Sequence, residues 1–284
     1  MTSGFDAFSL ALFTSLAPAG VVAFLALAFA RLWTRDHEAA VRIDRIIALP
    51  FSVVLVGFIA SATHLGTPAN ALHVFSGIGR SPLSNEVLSA VAFLFLVGSY
   101  WMMAFKERFP NALAKPWLAL ACLAGAALIV CTSVAYSVNT VPTWDTGFTP
   151  ANLVLSALLA GPVLGLLFLE IARTRPRALE IALAVCAGIA LAVGTIVLVL
   201  HQTSLDGIAN NEFSAITLVP HYPTAISAHL VLGAAALVLA ALSLKRVQSH
   251  RTTLALRIAA SALALIAVFV TRIAFYHLHM TVGF

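Results

Sequence analysis

Residues 151–200 read ANLVLSALLAGPVLGLLFLEIARTRPRALEIALAVCAGIALAVGTIVLVL. Two apolar runs, 151–172 and 179–200, are parted only by a short basic connector, RTRPR at 173–177. A helix needs about 20 apolar residues to cross the hydrocarbon core of a bilayer. Each run has that length, and neither alternates apolar with polar residues as the strands of a membrane barrel do. No water in the core satisfies backbone N–H and C=O groups, so such a run must be an α-helix. A connector this short makes the two helices antiparallel neighbours, with arginines on the side where they meet.

The same unit recurs along the whole chain. Of 284 residues, 61% are hydrophobic and 10% charged, with mean hydropathy +1.00; soluble domains carry about 25% charged residues. The reading is an all-α integral membrane protein, a single domain over residues 1–284. Eight spans are expected at 9–32, 46–66, 84–105, 116–136, 151–172, 179–200, 224–244 and 254–276. The first run follows MTSGFDAF, which has no Lys or Arg, and Arg31 and Arg35 come after it. A secretory signal has the opposite order, so the first run is expected to stay as a span. Cys122, Cys131 and Cys186 lie in apolar runs without CxxC spacing, which suggests neither a disulfide framework nor a zinc site.

The pI near 9.5 would suggest nucleic acid for a soluble chain; here the basic excess is topological. The first, third, fifth and seventh connections contain RLWTRDHEAAVRIDR, KERFPNALAK, RTRPR and KRVQSHRTTLALR, which hold 14 of the 16 basic residues. The second, fourth and sixth hold only Arg80, and Arg272 falls near the end of the eighth span. Positively charged loops stay in the cytoplasm, so both termini are expected outside. The inner connections read as plain connectors. The outer ones, TPANALHVFSGIGRSPL, SVNTVPTWDTGFTP and HQTSLDGIANNEFSAITLVPHYP, carry Pro, Gly, Asn and Asp turn chemistry and read as a structured docking face. Spans two and six end in His64 and His201, and spans four and eight in AYSVNTV and FYHLHMTV, which suggests two four-helix halves.

His64 and Glu86 stand out. The second span runs outward to His64–Gly66; the third starts near Ser84 and runs inward, with Glu86 in its first turn. Both therefore lie at one depth near the outer interface. Ionisable residues there are costly and raise a functional hypothesis. A quinol loses two protons with its two electrons, and a His that titrates near neutrality and a carboxylate in a low-dielectric setting can accept them. Simpler roles compete: His64 can snorkel to the interface, and Glu86 can favour a helix start capped by Ser84 or Asn85. Asp145, His221, Tyr222, His277, His279 and Arg272 are weaker candidates. Trp144 reads as an interface anchor, and Glu170 and Glu180 as boundary charges.

The stretch FIASATHLGTPANALHVFSGIGRSPLSNE, with NTVPTW (139–144), LVPHY (218–222) and FYHLHMTVG (275–283) following in order, resembles the membrane anchor subunits of dimethyl sulfoxide reductases over essentially the whole chain. The resemblance implies an eight-helix anchor in the bacterial inner membrane, with periplasmic termini. It implies a four-cluster iron–sulfur subunit and a molybdopterin catalytic subunit docked on the periplasmic face. It implies menaquinol oxidation near that face, with electrons passing to the iron–sulfur subunit, and no haem or metal in the anchor itself. The family's quinol site maps onto His64 and Glu86, with Gly66 beside them. Where the family often has a basic residue after HLG-Pro, Asn70 stands here; His73 and Arg80 in the same loop are candidate replacements. Arg272 matches the family's helix-end Arg, although Ile273 and Ala274 separate it from FY, and His277 replaces a small residue.

Three other readings have specific requirements. A haem-b subunit needs two facing interior His ligands, and only His229 lies clearly inside a span. A secondary transporter places broken helices near the midplane, for which APAG (17–20) and AGPVLG (160–165) are the candidate breaks. An anchor for another sulfur-compound or oxyanion oxidoreductase, with electrons running in either direction, has the same anchor architecture, because the anchor never contacts the terminal substrate.

Overall fold

The computed structural model describes residues 4–63, 68–105, 111–209, 211, 214–245 and 248–280. Among them the α-helices are α1 (Gly4–Trp33), α2 (His37–Ile46), α3 (Ala48–Ala62), α4 (Pro82–Ala104), α5 (Asn111–Ala135), α6 (Phe148–Ile171), α7 (Arg177–Ser204), α8 (Tyr222–Ser243) and α9 (His250–His277). Among the described residues eight segments are long and apolar enough to cross a membrane, with α2 and α3 together forming the second, His37–Ala62. Among the described residues the short α2 is the one α-helix that the expected spans do not contain. Asp36 caps it, accepting hydrogen bonds from the backbone N–H groups of Glu38 (3.0 Å) and Ala39 (3.3 Å). Pro50 falls in the first turn of α3, where its missing N–H is not needed.

Helices α1 and α6 form the centre: 78% and 72% of their most apolar windows are buried, against 28–39% for the other spans. Helix α1 packs on α3, α5, α6 and α9, and α6 packs on α7 and α9. Small residues set the α1–α6 approach. A Cβ on Gly161 would strike the Val22 side chain and lie 3.0 Å from the Ala19 carbonyl oxygen; one on Gly165 would lie 2.9 Å from Ala26 Cβ. Lipid is as apolar as leucine, so close backbone packing rather than hydrophobic burial drives such contacts. The two candidate helix breaks are therefore packing surfaces: α1 and α6 run unbroken through Pro18 and Pro162.

The basic end of the bundle departs from the expectation of plain connectors. Arg31 Nε donates to both Asp44 oxygens (2.9 and 3.0 Å), and Tyr100 Oη donates to Asp44 Oδ1 (2.7 Å). Across the bundle, Glu180 and Glu170 are buried, not boundary charges. Arg257 on α9 pairs with Glu180, stands 3.6 Å from Glu170, and donates to the Leu166 carbonyl (2.6 Å). Arg175 reaches Glu180 (3.1 Å) and Glu170 (3.5 Å), and His250 Nδ1 lies 2.6 Å from Glu170. The reason is local. Helices α1, α4, α6 and α8 end here, and helix ends leave carbonyls unpaired. Arg42, Arg175 and Arg177 donate to the carbonyls of Ala172, Ser243 and Leu244.

The opposite, arginine-poor end carries the expected structured surface: a 3-10 segment Pro68–Gly77, shorter ones at Leu205–Gly207 and Ala215–Leu218, and a bridge between Ala209 and Ser214.

Candidate functional site

Glu86 is placed by the start of α4. Gly79 turns the chain at φ +80°, a conformation that disfavours any residue with a Cβ. Its N–H donates to Asn85 Oδ1 (2.7 Å), and the Ser81 hydroxyl accepts from the Ser84 N–H (3.5 Å) with Pro82 opening the helix. The cap is thus Ser81, not Ser84 or Asn85. Glu86 is turned inward instead: it is 4% exposed, the Thr132 side chain of α5 faces its carboxyl, and its Oε1 has no hydrogen-bond partner among the described residues. An unpaired buried carboxyl costs far more than helix-start favour returns.

Across the same end of the bundle lies Arg272 of α9, 2% exposed. Its Nε donates to Thr14 Oγ1 of α1 (3.1 Å), and its guanidinium lies 4.7 Å from the Phe275 ring centroid and 5.8 Å from that of Tyr276. Tyr276 Oη also donates to Thr14 (3.3 Å), and the Thr14 hydroxyl donates to the Leu10 carbonyl (2.9 Å). The Tyr136 ring meets Tyr276 edge-on at 5.5 Å. Both tyrosine hydroxyls lie within the electrostatic reach of Glu86 and of Arg272.

The connection between α5 and α6 closes over this cluster. Trp144 stacks on Phe275 (5.0 Å, 19°), donates to the Phe275 carbonyl (3.1 Å), and stands edge-on to Tyr276 and His279. Thr143 donates to the Leu278 carbonyl. Trp144 is therefore a packing partner of the cluster, not an interface anchor, while Asp145 beside it is exposed.

The other expected residues fall apart from this cluster or cannot be placed. His64 and Gly66 lie outside the described residues. His73 and Arg80 are exposed, so neither side chain is in the buried cluster. His277 ends α9 and lines an apolar groove of about 260 Å³ between α8 and α9 together with His221. His279 follows the helix end and packs on Trp144, so the two histidines face different surroundings. His201 is buried, with Nδ1 3.1 Å from Tyr222 Oη and its ring stacked on Phe148. His229 Nδ1 lies 3.1 Å from the Ala267 carbonyl, beside a cavity of about 10 Å³ shared with Asn152 and Ser156. Among the described residues no three His, Cys, Asp or Glu converge on a metal position. Thr14 and Thr132 had no signal of their own in the sequence, since each reads as an ordinary residue of an apolar helix; Tyr136 and Tyr276 stood out only as the tyrosines shared by AYSVNTV and FYHLHMTV, with no role attached.

The protein matches the family described as DMSO reductase anchor subunit (DmsC) over residues 1–278. It is similar to the anaerobic dimethyl sulfoxide reductase subunit YnfH of Escherichia coli, 33% identical over 290 residues that cover 100% of this protein and 98% of the relative. It is also similar to the C subunits of the anaerobic dimethyl sulfoxide reductases of Escherichia coli, 32% identical, and Haemophilus influenzae, 29% identical, each with 100% of this protein and 98% of the relative covered.

Proposed function

The chain belongs to the family of DMSO reductase anchor subunits, and from that premise we propose that it oxidises menaquinol at the periplasmic face of the bacterial inner membrane. The family implies iron–sulfur and catalytic partner subunits. On the proposed reading a four-cluster iron–sulfur subunit and a molybdopterin subunit dock on the arginine-poor end, taken as the outer one; the bias of basic residues to the opposite connections supports this. The single observation that carries the reading is Glu86: a carboxyl 4% exposed, one turn in from the start of a membrane helix, with a buried oxygen that no described residue satisfies.

Quinol oxidation releases two protons and two electrons. The Glu86 carboxylate takes one proton from a ring hydroxyl, His64 is the proposed acceptor of the second, and both electrons leave to the iron–sulfur subunit. Glu86 lies about one helical turn from the start of α4, so its proton has a short path to the surface. Two four-helix halves are part of the same proposal. In their support, the neighbour scheme of α1, α3, α4 and α5 recurs in α6, α7, α8 and α9, and Asp44 and Glu180 take like places at the starts of spans two and six.

The test is quinol-dependent reduction of the iron–sulfur clusters in membranes that carry the whole complex. Glu86→Gln should weaken it by about 10-fold or more, while a reduced viologen still drives the catalytic subunit. Unchanged cluster reduction would return Glu86 to a helix-start role.

A further inference from the structure

Two opposite charges are buried at one end of this bundle without meeting. Glu86 is 4% and Arg272 2% exposed. Neither enters an ion pair among the described residues. Each carries a buried polar atom with no partner there, Oε1 of Glu86 and Nη2 of Arg272. Tyr136 and Tyr276, edge-on to one another at 5.5 Å, lie within the electrostatic reach of both charges. A fold selected for stability alone would close such a gap with an ion pair, or fill it with apolar side chains at little cost.

We propose that Arg272 is the second binding group of the quinol site, holding the ring oxygen that Glu86 does not. This rests on the quinol-oxidising reading and extends it to a residue of α9 at the same end of the bundle. The guanidinium suits the task. Its five donors are fixed in one plane, and the Nε–Thr14 bond and the Phe275 face set that plane. Thr14 is itself locked, because it donates to the Leu10 carbonyl and accepts from both Arg272 and Tyr276. Nη2 is thereby left buried without a partner among the described residues. As a quinol hydroxyl loses its proton to Glu86, negative charge grows on the ring oxygens, and a preorganised cation in a dry site stabilises it. Arg272 stays protonated throughout; the protons go to Glu86 and His64 and the electrons to the iron–sulfur subunit, so the balance is unchanged. The Phe275, Tyr276 and Trp144 rings supply an apolar wall for the ring system.

The experiment uses membranes carrying the whole complex, with menadiol as electron donor and reduced viologen as the measure of assembled complex. Arg272→Gln should raise the KM for menadiol by roughly 10-fold or more, the value of a charge-assisted hydrogen bond. Arg272→Lys should recover part of that loss. Thr14→Val, which keeps the charge but frees its orientation, should raise KM by a smaller factor. Glu86→Gln, run alongside, separates the two readings. If it abolishes menadiol oxidation while all three Arg272 and Thr14 variants keep the parental KM, the Arg272 proposal is wrong and the quinol reading stands. If Glu86→Gln has no effect either, the quinol reading itself fails. If none of the three variants accumulates as an assembled complex, Arg272 is a folding element and the proposal is overturned.

Discussion

Replacing Arg257 by Met should destabilise the bundle without touching quinol oxidation. The Arg257 side chain is 1% exposed, pairs with Oε1 of the fully buried Glu180, and donates to the Leu166 carbonyl and the Ser243 hydroxyl. With it gone, the two carboxylates of Glu170 and Glu180 share Arg175, whose side chain is 21% exposed, and His250, whose side chain is 43% exposed. Removing one partner of a buried pair costs about 3–5 kcal/mol, because the remaining charge is left uncompensated. At about 2–4 °C per kcal/mol for a large domain, the melting point should fall by roughly 6–20 °C. The second mutation decides the cause. Arg257→Met/Glu180→Met removes the pair together, and a buried pair exchanged for apolar side chains is often neutral. The double variant should therefore be more stable than the sum of the singles by about 2 kcal/mol or more. The assay is thermal unfolding of the detergent-solubilised anchor, followed by tryptophan fluorescence. Arg257 and Arg272 are fifteen residues apart on α9, about 22 Å along the axis, so the menadiol KM of the surviving complex should not move. A loss below about 1 kcal/mol for the single variant, or strict additivity in the cycle, would refute the reasoning.

The other expectations are shorter. Gly161→Val should cost about 1–3 kcal/mol by overpacking and lower the amount of inserted anchor, whereas Gly188→Val, whose added Cβ meets nothing within 4 Å, should be tolerated; equal accumulation of the two would contradict the α1–α6 packing argument. Trp144→Ala should cost about 1.5–3 kcal/mol in lost burial and expose 136–147 to added protease, a change absent if the residue were only an interface anchor. With the native cysteines replaced by Ala, Asp145→Cys should react with an impermeant maleimide on intact cells and Ala178→Cys only after permeabilisation; the reverse pattern would invert the proposed orientation.

Membrane spans were legible because their signal is additive and local. An apolar run and the charge of its flanks are read without knowing any neighbour, so 84–105 already located α4 to within two residues. Glu86 was legible for the same reason: a carboxylate among apolar residues is conspicuous wherever the chain goes. Arg272 was visible but not interpretable, since its partner Thr14 lies 258 residues away. Trp144 and Glu180 were misjudged for a related reason. A Trp at a span end and a Glu at a helix start each have a common role that needs no neighbour, and only the neighbours show that here the role is different.

By itself the sequence determined the class, the number of spans and the alternation of basic and arginine-poor connections, all of which follow from the hydrocarbon thickness and the cost of moving charge into it. Only the tertiary structure decided which helices are central. Helix α7 is the most apolar span, yet 28% of its window is buried, against 78% for α1. Lipid tails and protein interior are equally apolar, so hydrophobicity cannot tell them apart. The distinction rests on shape, on Gly161 and Gly165 letting α6 approach α1. The same holds for Glu86 and Arg272, which are far apart in the sequence and are buried at one end of the bundle, near the same two tyrosines, only because the helices pack.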